Sequence, residues 1–251
     1  MHTGLSFFAV TEYAIQFDGV AKGYGRQPVL EAISLGVDSG EFVALVGVNG
    51  AGKSTLIKCL LDFTCLDAGS IRIFGTPHTR RDSRGKLFFL PEKFLPPYYL
   101  TGADFLDYMA RLHGVRPDPA RVHELLARWL DFEPAALRKP VRQLSKGMSQ
   151  KLGLAACLLS DKPLLVLDEP MSGLDPRTRA CLKQYLLQLK GQGRTVFFST
   201  HMLADVEALC DRVAILHGGV VRFAGTPARC QSEYQAADLE QAYLRCVNGE
   251  A

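Results

Sequence analysis

The chain has 251 residues, 47% of them hydrophobic and 22% charged, a balance that excludes a disordered chain, a collagen-like repeat and a pure coiled coil. At this length roughly 70 to 75% of the unfolded surface can be buried, so one compact body with a real core is expected. The 29 Lys and Arg against 26 Asp and Glu leave a net charge of only +3, short of the basic balance of a nucleic-acid binder, and no nucleic-acid partner is expected.

No apolar run reaches the roughly 18 residues of a membrane-spanning helix; the longest, such as Pro163 to Leu167, are strand-sized. The apolar patch Leu5 to Val10 follows no basic residue other than His2, which argues against a secretory signal and for a chain that stays in the cytosol. The seven cysteines are odd in number and contain no Cys-x-x-Cys pair, so neither a disulfide framework nor a zinc site is indicated. Buried, reduced thiols are expected.

In chain order, Tyr13 to Val20 and Ile33 to Val37 alternate apolar and polar residues as half-exposed strands do, whereas Phe42 to Val46 is a continuous apolar run typical of a fully buried strand. A helix is expected over Leu56 to Leu61, then strands over Ser70 to Phe74 and Lys86 to Leu90. Roughly 70 residues with helical patterns alone follow, including Ala103 to His113, Arg121 to Leu130 and Ser149 to Leu159. This block reads as a helical lobe, residues 92–161, inserted into an α/β body, with Pro91, Pro96 and Pro97 at its entry and Pro140 in its exit loop. Strands return at Leu164 to Leu167, Val196 to Ser199, Val213 to Leu216 and Val220 to Ala224, and Ala237 to Val247 reads as a short amphipathic helix. The expected division is one domain over residues 1–251. Residues 13–91 and 162–225 form its catalytic core, and 226–251 a short helical tail.

The buried strand Phe42 to Val46 runs into Gly47-Val-Asn-Gly-Ala-Gly-Lys-Ser-Thr55, which matches G-x-x-x-x-G-K-[ST] in the strand, loop and helix order that a phosphate loop requires. Gly47, Gly50 and Gly52 let the backbone turn tightly, so that successive N–H groups, Asn49 to Thr55 among them, surround phosphate oxygens at the positive end of the next helix. Lys53 supplies a point charge for the β and γ phosphates, and the Ser54 hydroxyl is a hard oxygen ligand for Mg²⁺. Downstream, Leu164-Leu-Val-Leu-Asp-Glu169 sets two carboxylates at the end of a buried strand, where parallel sheets gather their ligand sites. Alone, such carboxylates would read as helix caps or solvated groups. Beside a phosphate loop, Asp168 is the expected second anchor of the magnesium shell and Glu169 is placed to polarise an attacking water.

Leu144-Ser-Lys-Gly-Met-Ser-Gln150 resembles the signature motif of ATP-binding-cassette (ABC) transporter ATPases, and the other family motifs follow in order over nearly the whole chain. The resemblance implies the P-loop ABC ATPase fold: an α/β mixed-sheet core with an N-terminal antiparallel β portion and an inserted α-helical subdomain. It implies that Tyr24 stacks on adenine, that Met171-Ser-Gly-Leu-Asp175 contacts the opposite subunit, and that His201 is the switch histidine. Read without the family, Tyr24 is a surface residue in a Gly-bounded turn and Asp175 a helix cap before Pro176; both roles of Asp175 can hold together. The resemblance further implies that Ser145 and Gly147 bind the γ-phosphate held by the other subunit, so that MgATP joins two chains, more readily two identical ones.

Two departures from the commoner pattern are visible. Lys146 and Met148 replace Gly and Gln in the signature, a variant similar to that of a large exporter branch. Glu92 stands where the family usually has a magnesium-facing Gln. A carboxylate there can still face Mg²⁺. Phe94-Leu-Pro-Pro-Tyr-Tyr-Leu100 is either local packing beneath the lobe or a docking groove for a membrane protein's coupling helix. The expected function is an ATP-hydrolysing subunit that powers a separate transmembrane permease, most readily an exporter, from the cytoplasmic face of the membrane. An importer ATPase and a soluble ABC ATPase are the rival readings.

Overall fold

In the computed structural model, which describes residues 13–249, the N-terminal strands β1 (Tyr13–Tyr24) and β2 (Gln27–Asp38) form a long hairpin. A two-residue loop closes it, with Gly25 at φ +63°, the left-handed region glycine enters without a Cβ clash. The patch Leu5 to Val10 lies outside the described residues. Both strands run further than alternation predicts, because register shifts between Phe17 and Val20 and between Val20 and Lys22 break the two-residue period while pairing continues. With β4 (Ala68–Ile73) and β5 (Thr76–Pro77), the hairpin makes an antiparallel sheet of order β2-β1-β4-β5.

The second sheet has the order β10-β9-β3-β8-β7-β6. Its central strands are β3 (Phe42–Val46), β8 (Thr195–Thr200) and β7 (Leu164–Asp168), and every residue in them is buried. They are flanked by β6 (Leu87–Leu90), β9 (Arg212–His217) and β10 (Val220–Gly225). All are parallel except β10, which is antiparallel to β9. Burial on both faces explains their unbroken apolar runs. One face, with Phe197 and Val166, packs on the antiparallel sheet through Ile15, Phe17 and Ile71 and on α1 (Lys53–Leu60); the Phe17 and Phe197 rings lie 6.0 Å apart. The other face, with Phe42, Val46 and Leu165, meets the remaining helical core.

After the single turn α2 (Arg81–Arg84) and β6, the chain forms helices and one isolated bridge, Thr101 to Pro140, before β7 begins. α3 (Gly102–His113) starts with a capping box: Thr101 Oγ1 accepts from the Asp104 N–H at 3.1 Å, and the Asp104 carboxylate accepts from the Thr101 N–H at 3.3 Å. The predicted helix Arg121 to Leu130 is two pieces. α4 (Pro119–Glu124) is capped by Asp118, and a π turn over Leu125–Trp129 follows, with the Leu130 N–H donating to the Leu125 carbonyl. The wider turn buries Leu125, Leu126 and Trp129 together. α5 (Lys146–Leu159) closes the segment.

α6 (Pro176–Gly191), α7 (Leu203–Leu209) and α8 (Pro227–Glu233), with α2, are absent from the helices read by periodicity. Their apolar stripes are thin; the sixteen residues of α6 bury only Thr178, Leu182, Leu186 and Leu189. α9 (Leu239–Asn248) is the expected terminal helix. Among the described residues no helix is long and apolar enough to cross a membrane. All seven thiols are free. Cys59, Cys157, Cys230 and Cys246 are buried as expected and Cys181 and Cys210 half-buried, but Cys65 is exposed, because it sits in the turn after α1 where no layer covers it. Burial pushes the Cys59 thiol up to about 11 and that of Cys230 up to about 12.

Phe105 of α3 is 2% exposed and packs edge-on against Phe94, with ring centroids 5.6 Å apart. Phe105→Ala is expected to cost about 3–5 kcal/mol in urea unfolding. Phe63→Ala, at a side chain 68% exposed, should stay within about 0.5 kcal/mol.

Candidate functional site

Parallel register brings the C-terminal ends of β3, β8 and β7 to one edge, with Val46 beside Thr200 and Asp168 beside Ser199. A cavity of about 240 Å³ opens there. Its lining includes Asn49, Gly50, Gly52, Lys53, Ser54, Thr55, Glu92, Asp168, Glu169 and His201, ten of the residues singled out from sequence. Val29, Val48 and Ser172 complete the wall.

The loop from β3 to α1 has the geometry of an anion cradle. A Cβ on Gly47 would lie 2.4 Å from the Leu216 carbonyl oxygen, so only glycine fits against β9 at that point. Gly50 and Gly52 take φ +85° and +107°. Gly52 is also the N-cap of α1 and provides no side-chain acceptor, which leaves the first N–H groups of the helix for a ligand.

Lys53 is 7% exposed and folds back along the loop, donating to the Gly47 carbonyl at 2.6 Å and the Val48 carbonyl at 3.3 Å. Burial lowers its pKa, opposed by the negative charges of Glu169, Asp168 and Glu92. An ammonium held this way, with its counter-charges at some distance, favours the arrival of a further anion.

Ser54 donates to Asp168 Oδ2 at 3.1 Å, and the Ser199 hydroxyl donates to Asp168 Oδ1. Ser199 Oγ also accepts the Glu169 N–H at 3.0 Å, and the Ser199 carbonyl accepts the same N–H at 3.2 Å. The sequence pattern places Ser199 only at the end of a strand; its role here follows from the pairing of β7 with β8. Ser54, Asp168 and Glu92 present hard oxygens to one cavity, a donor set that fits Mg²⁺. Among the described residues no three His, Cys, Asp or Glu side chains form a metal cage; Mg²⁺ in a phosphate site draws its other ligands from phosphates and water.

Glu169 has φ +49°, a strained conformation for a residue with a Cβ. The two bonds from its N–H to Ser199 hold it there. Its carboxylate faces His201, whose Nδ1 lies 3.0 Å from Oε2 and 3.1 Å from Oε1.

Other singled-out residues stand apart from this cavity. Tyr24 is 51% exposed at the hairpin tip, with the Lys22 ammonium 5.6 Å from its ring centroid. Ser145 caps α5 by accepting the Met148 N–H at 3.2 Å, and both Ser145 and Lys146 are exposed. Gly147 abuts the loop before α6, its Cβ position 3.4 Å from the Gly173 carbonyl oxygen. Asp175 caps α6, accepting from the Thr178 N–H at 2.9 Å and Oγ1 at 2.7 Å. With the Lys151 ammonium 3.2 Å away, these bonds hold its carboxyl well below the usual carboxylate range. In the segment after Glu92, Phe94 packs on Phe105 while Leu95, Tyr98 and Tyr99 are exposed, so the segment combines local packing with an open apolar surface.

The profile of the ABC transporter family matches residues 30–172. An uncharacterised ABC transporter ATP-binding protein of Synechocystis is 40% identical over 203 residues, 79% of this chain and 57% of that protein. Nod factor export ATP-binding protein I of Rhizobium etli is 34% identical over 235 residues, 92% of this chain and 73% of that protein. The chain spans 57% of the length of the Synechocystis protein and 59% of that of an uncharacterised ABC transporter ATP-binding protein of Nostoc, which is 40% identical over 199 residues, 78% of this chain. A solved ATP-binding subunit of an ABC transporter superposes with a TM-score of 0.84 at 32% identity, covering 93% of this chain and 99% of that one. The mixed sheets, the phosphate loop and these relatives agree: the chain belongs to the ABC transporter family.

Proposed function

We propose that the chain binds MgATP at this cavity and hydrolyses it as one half of a pair that drives a separate transmembrane permease. The observation carrying the reading is the meeting, at one sheet edge, of Lys53, the Ser54–Asp168 pair and the Glu169–His201 pair. In this reading the loop N–H groups of Asn49 to Thr55 receive the phosphates, and Lys53 turns its ammonium from the Gly47 carbonyl toward the β and γ oxygens. Ser54 and Asp168 hold Mg²⁺, with Glu92 facing it; bound there, the ion neutralises charge that builds on the phosphate oxygens. Glu169 orients and deprotonates the attacking water, and His201 donates a hydrogen bond toward the γ-phosphate. Tyr24 stacks on the adenine from the hairpin tip.

Ser145 and Gly147 stand outside their own chain's cavity, on the exposed start of α5. They serve the γ-phosphate of a second copy, with Met171 to Asp175 at the joint. Charge-assisted contacts contribute about 1.5–3 kcal/mol each, and several across two sites offset an association cost of roughly 4–15 kcal/mol. Residues 13–91 and 162–225 act as the catalytic core, 92–161 as the helical subdomain and 226–251 as its tail. The exposed Leu95, Tyr98 and Tyr99 form the surface that meets the permease, which keeps the chain at the cytoplasmic face of the membrane. Lys146, Met148 and Glu92, with the Nod factor export relatives, favour export.

Lys53→Ala should fold normally and lose the thermal shift induced by MgATP. The wild-type shift corresponds to about 2.7 kcal/mol at a hundredfold excess over Kd, and a full shift in the variant would reject the site. Glu169→Gln keeps the shape and loses the base, so it should bind ATP, turn over very slowly and, by light scattering, dimerise with MgATP but not with ADP. Adding Ser145→Arg should abolish that dimer. A monomer at saturating ATP would defeat the pairing of identical chains.

A further inference from the structure

The tip of the β1–β2 hairpin, which carries Tyr24, reaches past the strand beside it. β4 begins at Ala68, opposite Ala21 of β1, so it offers no partner to Lys22, Gly23 and Tyr24. Asp67, the residue just before β4, takes over. Its N–H donates to the Ala21 carbonyl at 3.0 Å, its Oδ2 accepts the Gly23 N–H at 2.7 Å, and its Oδ1 accepts the Lys22 ammonium at 2.7 Å. Short bonds to a carboxylate are the strong kind, and the Gly23 N–H would otherwise lack a partner from β4. The half-buried Lys22 held in this way lies 5.6 Å from the Tyr24 ring centroid, within reach of a cation–π contact.

Asp67 is anchored on the side away from the hairpin. It follows α1, the helix that begins at Lys53. The turn between them is fixed, with Leu61 buried and the Arg84 guanidinium 2.8 Å from the Asp62 carboxylate. The other strand of the hairpin meets the phosphate loop directly: Val29 lines the cavity, and its carbonyl oxygen lies 3.0 Å from the Cβ position of Gly52. The hairpin is therefore held at two places, against the loop at Val29 and against the segment after α1 at Asp67. The first sets how close the hairpin lies to the phosphates. The second sets the tilt of its tip.

We propose that Asp67 is a positioning residue for base recognition: its carboxylate fixes the hairpin tip so that the Tyr24 ring stands at one distance from the phosphate loop, favouring ligands that carry a planar base over bare polyphosphate. The inference rests on the reading of the cavity as the MgATP site and of Tyr24 as the surface on which adenine stacks.

Magnesium tripolyphosphate, which has the phosphates without the base, separates this role from a general one. Asp67→Ala should raise Kd and KM for MgATP about fivefold, the worth of one hydrogen bond, with kcat and Kd for magnesium tripolyphosphate nearly unchanged. The Gly23 amide should exchange hydrogen about fivefold faster than in the wild type. Tyr24→Ala should show the same split between the two ligands, and the double variant should bind MgATP no more weakly than Tyr24→Ala, because both changes act through one ring. Equal losses for MgATP and tripolyphosphate in Asp67→Ala overturn the inference, as does unaltered MgATP affinity in Asp67→Ala when Tyr24→Ala binds more weakly. Unaltered affinity in Tyr24→Ala overturns the stacking reading and this inference with it, and a wild-type chain that binds no MgATP overturns the functional reading as well. Should Asp67→Ala fail to fold, Lys22→Met, which keeps the stem and removes the ammonium, decides: an unchanged Kd for MgATP rejects the proposal, and a rise confined to MgATP supports it.

Discussion

Asp168 ends a strand buried on both faces, and its carboxylate is shared by two hydroxyls from different elements, Ser54 of α1 and Ser199 of β8. A charge in that position is costly unless each oxygen finds a donor. The two serines supply the donors, and in doing so they fix the first turn of α1 against the ends of β7 and β8. The same Ser199 holds the Glu169 backbone, so the carboxylates of Asp168 and Glu169 are set by a single side chain. The loop, Asp168 and Glu169 therefore keep one relative geometry, and a change in the pairing of β7 with β8 would disturb all three together.

Lys53 and Glu169 illustrate how the fold stores readiness at this edge. A buried ammonium satisfied by backbone carbonyls and a glutamate in the left-handed region both cost stability by themselves. They persist because the parallel sheet around them is buried on both faces and because the glycines of the loop admit backbone where side chains would clash. Preorganised polar groups of this kind need little rearrangement when charge develops on a ligand.

The phosphate loop was legible from sequence because its chemistry lies in consecutive backbone groups: Gly47 to Thr55 specify their own geometry. Asp168 and Glu169 were legible as the end of a buried apolar run. Tyr24, Ser145, Gly147, Glu92 and His201 were named through family resemblance, since nothing local distinguishes them from a surface tyrosine, a helix cap or a loop carboxylate. Ser199 as a shared donor was not legible, because that role exists only once β8 lies beside β7 in register. Among the elements, the buried parallel strands matched their apolar runs closely, whereas bulges hid the full length of the hairpin. The π turn after α4 and the thin stripes of α6 to α8 escaped the 3.6-residue period for related reasons: one changes the period locally, and the others bury too few residues to display it.

The positive φ of Glu169 also bears on how the protein would respond to selection. Glycine or asparagine would sit at that backbone angle with less strain, so a laboratory search that rewards heat resistance alone would be drawn to replace the glutamate. With Glu169 as the base proposed above, survivors would be sturdier and chemically silent. A screen for robust variants of this cassette therefore has to score turnover alongside melting, because at position 169 the two objectives pull the sequence in opposite directions.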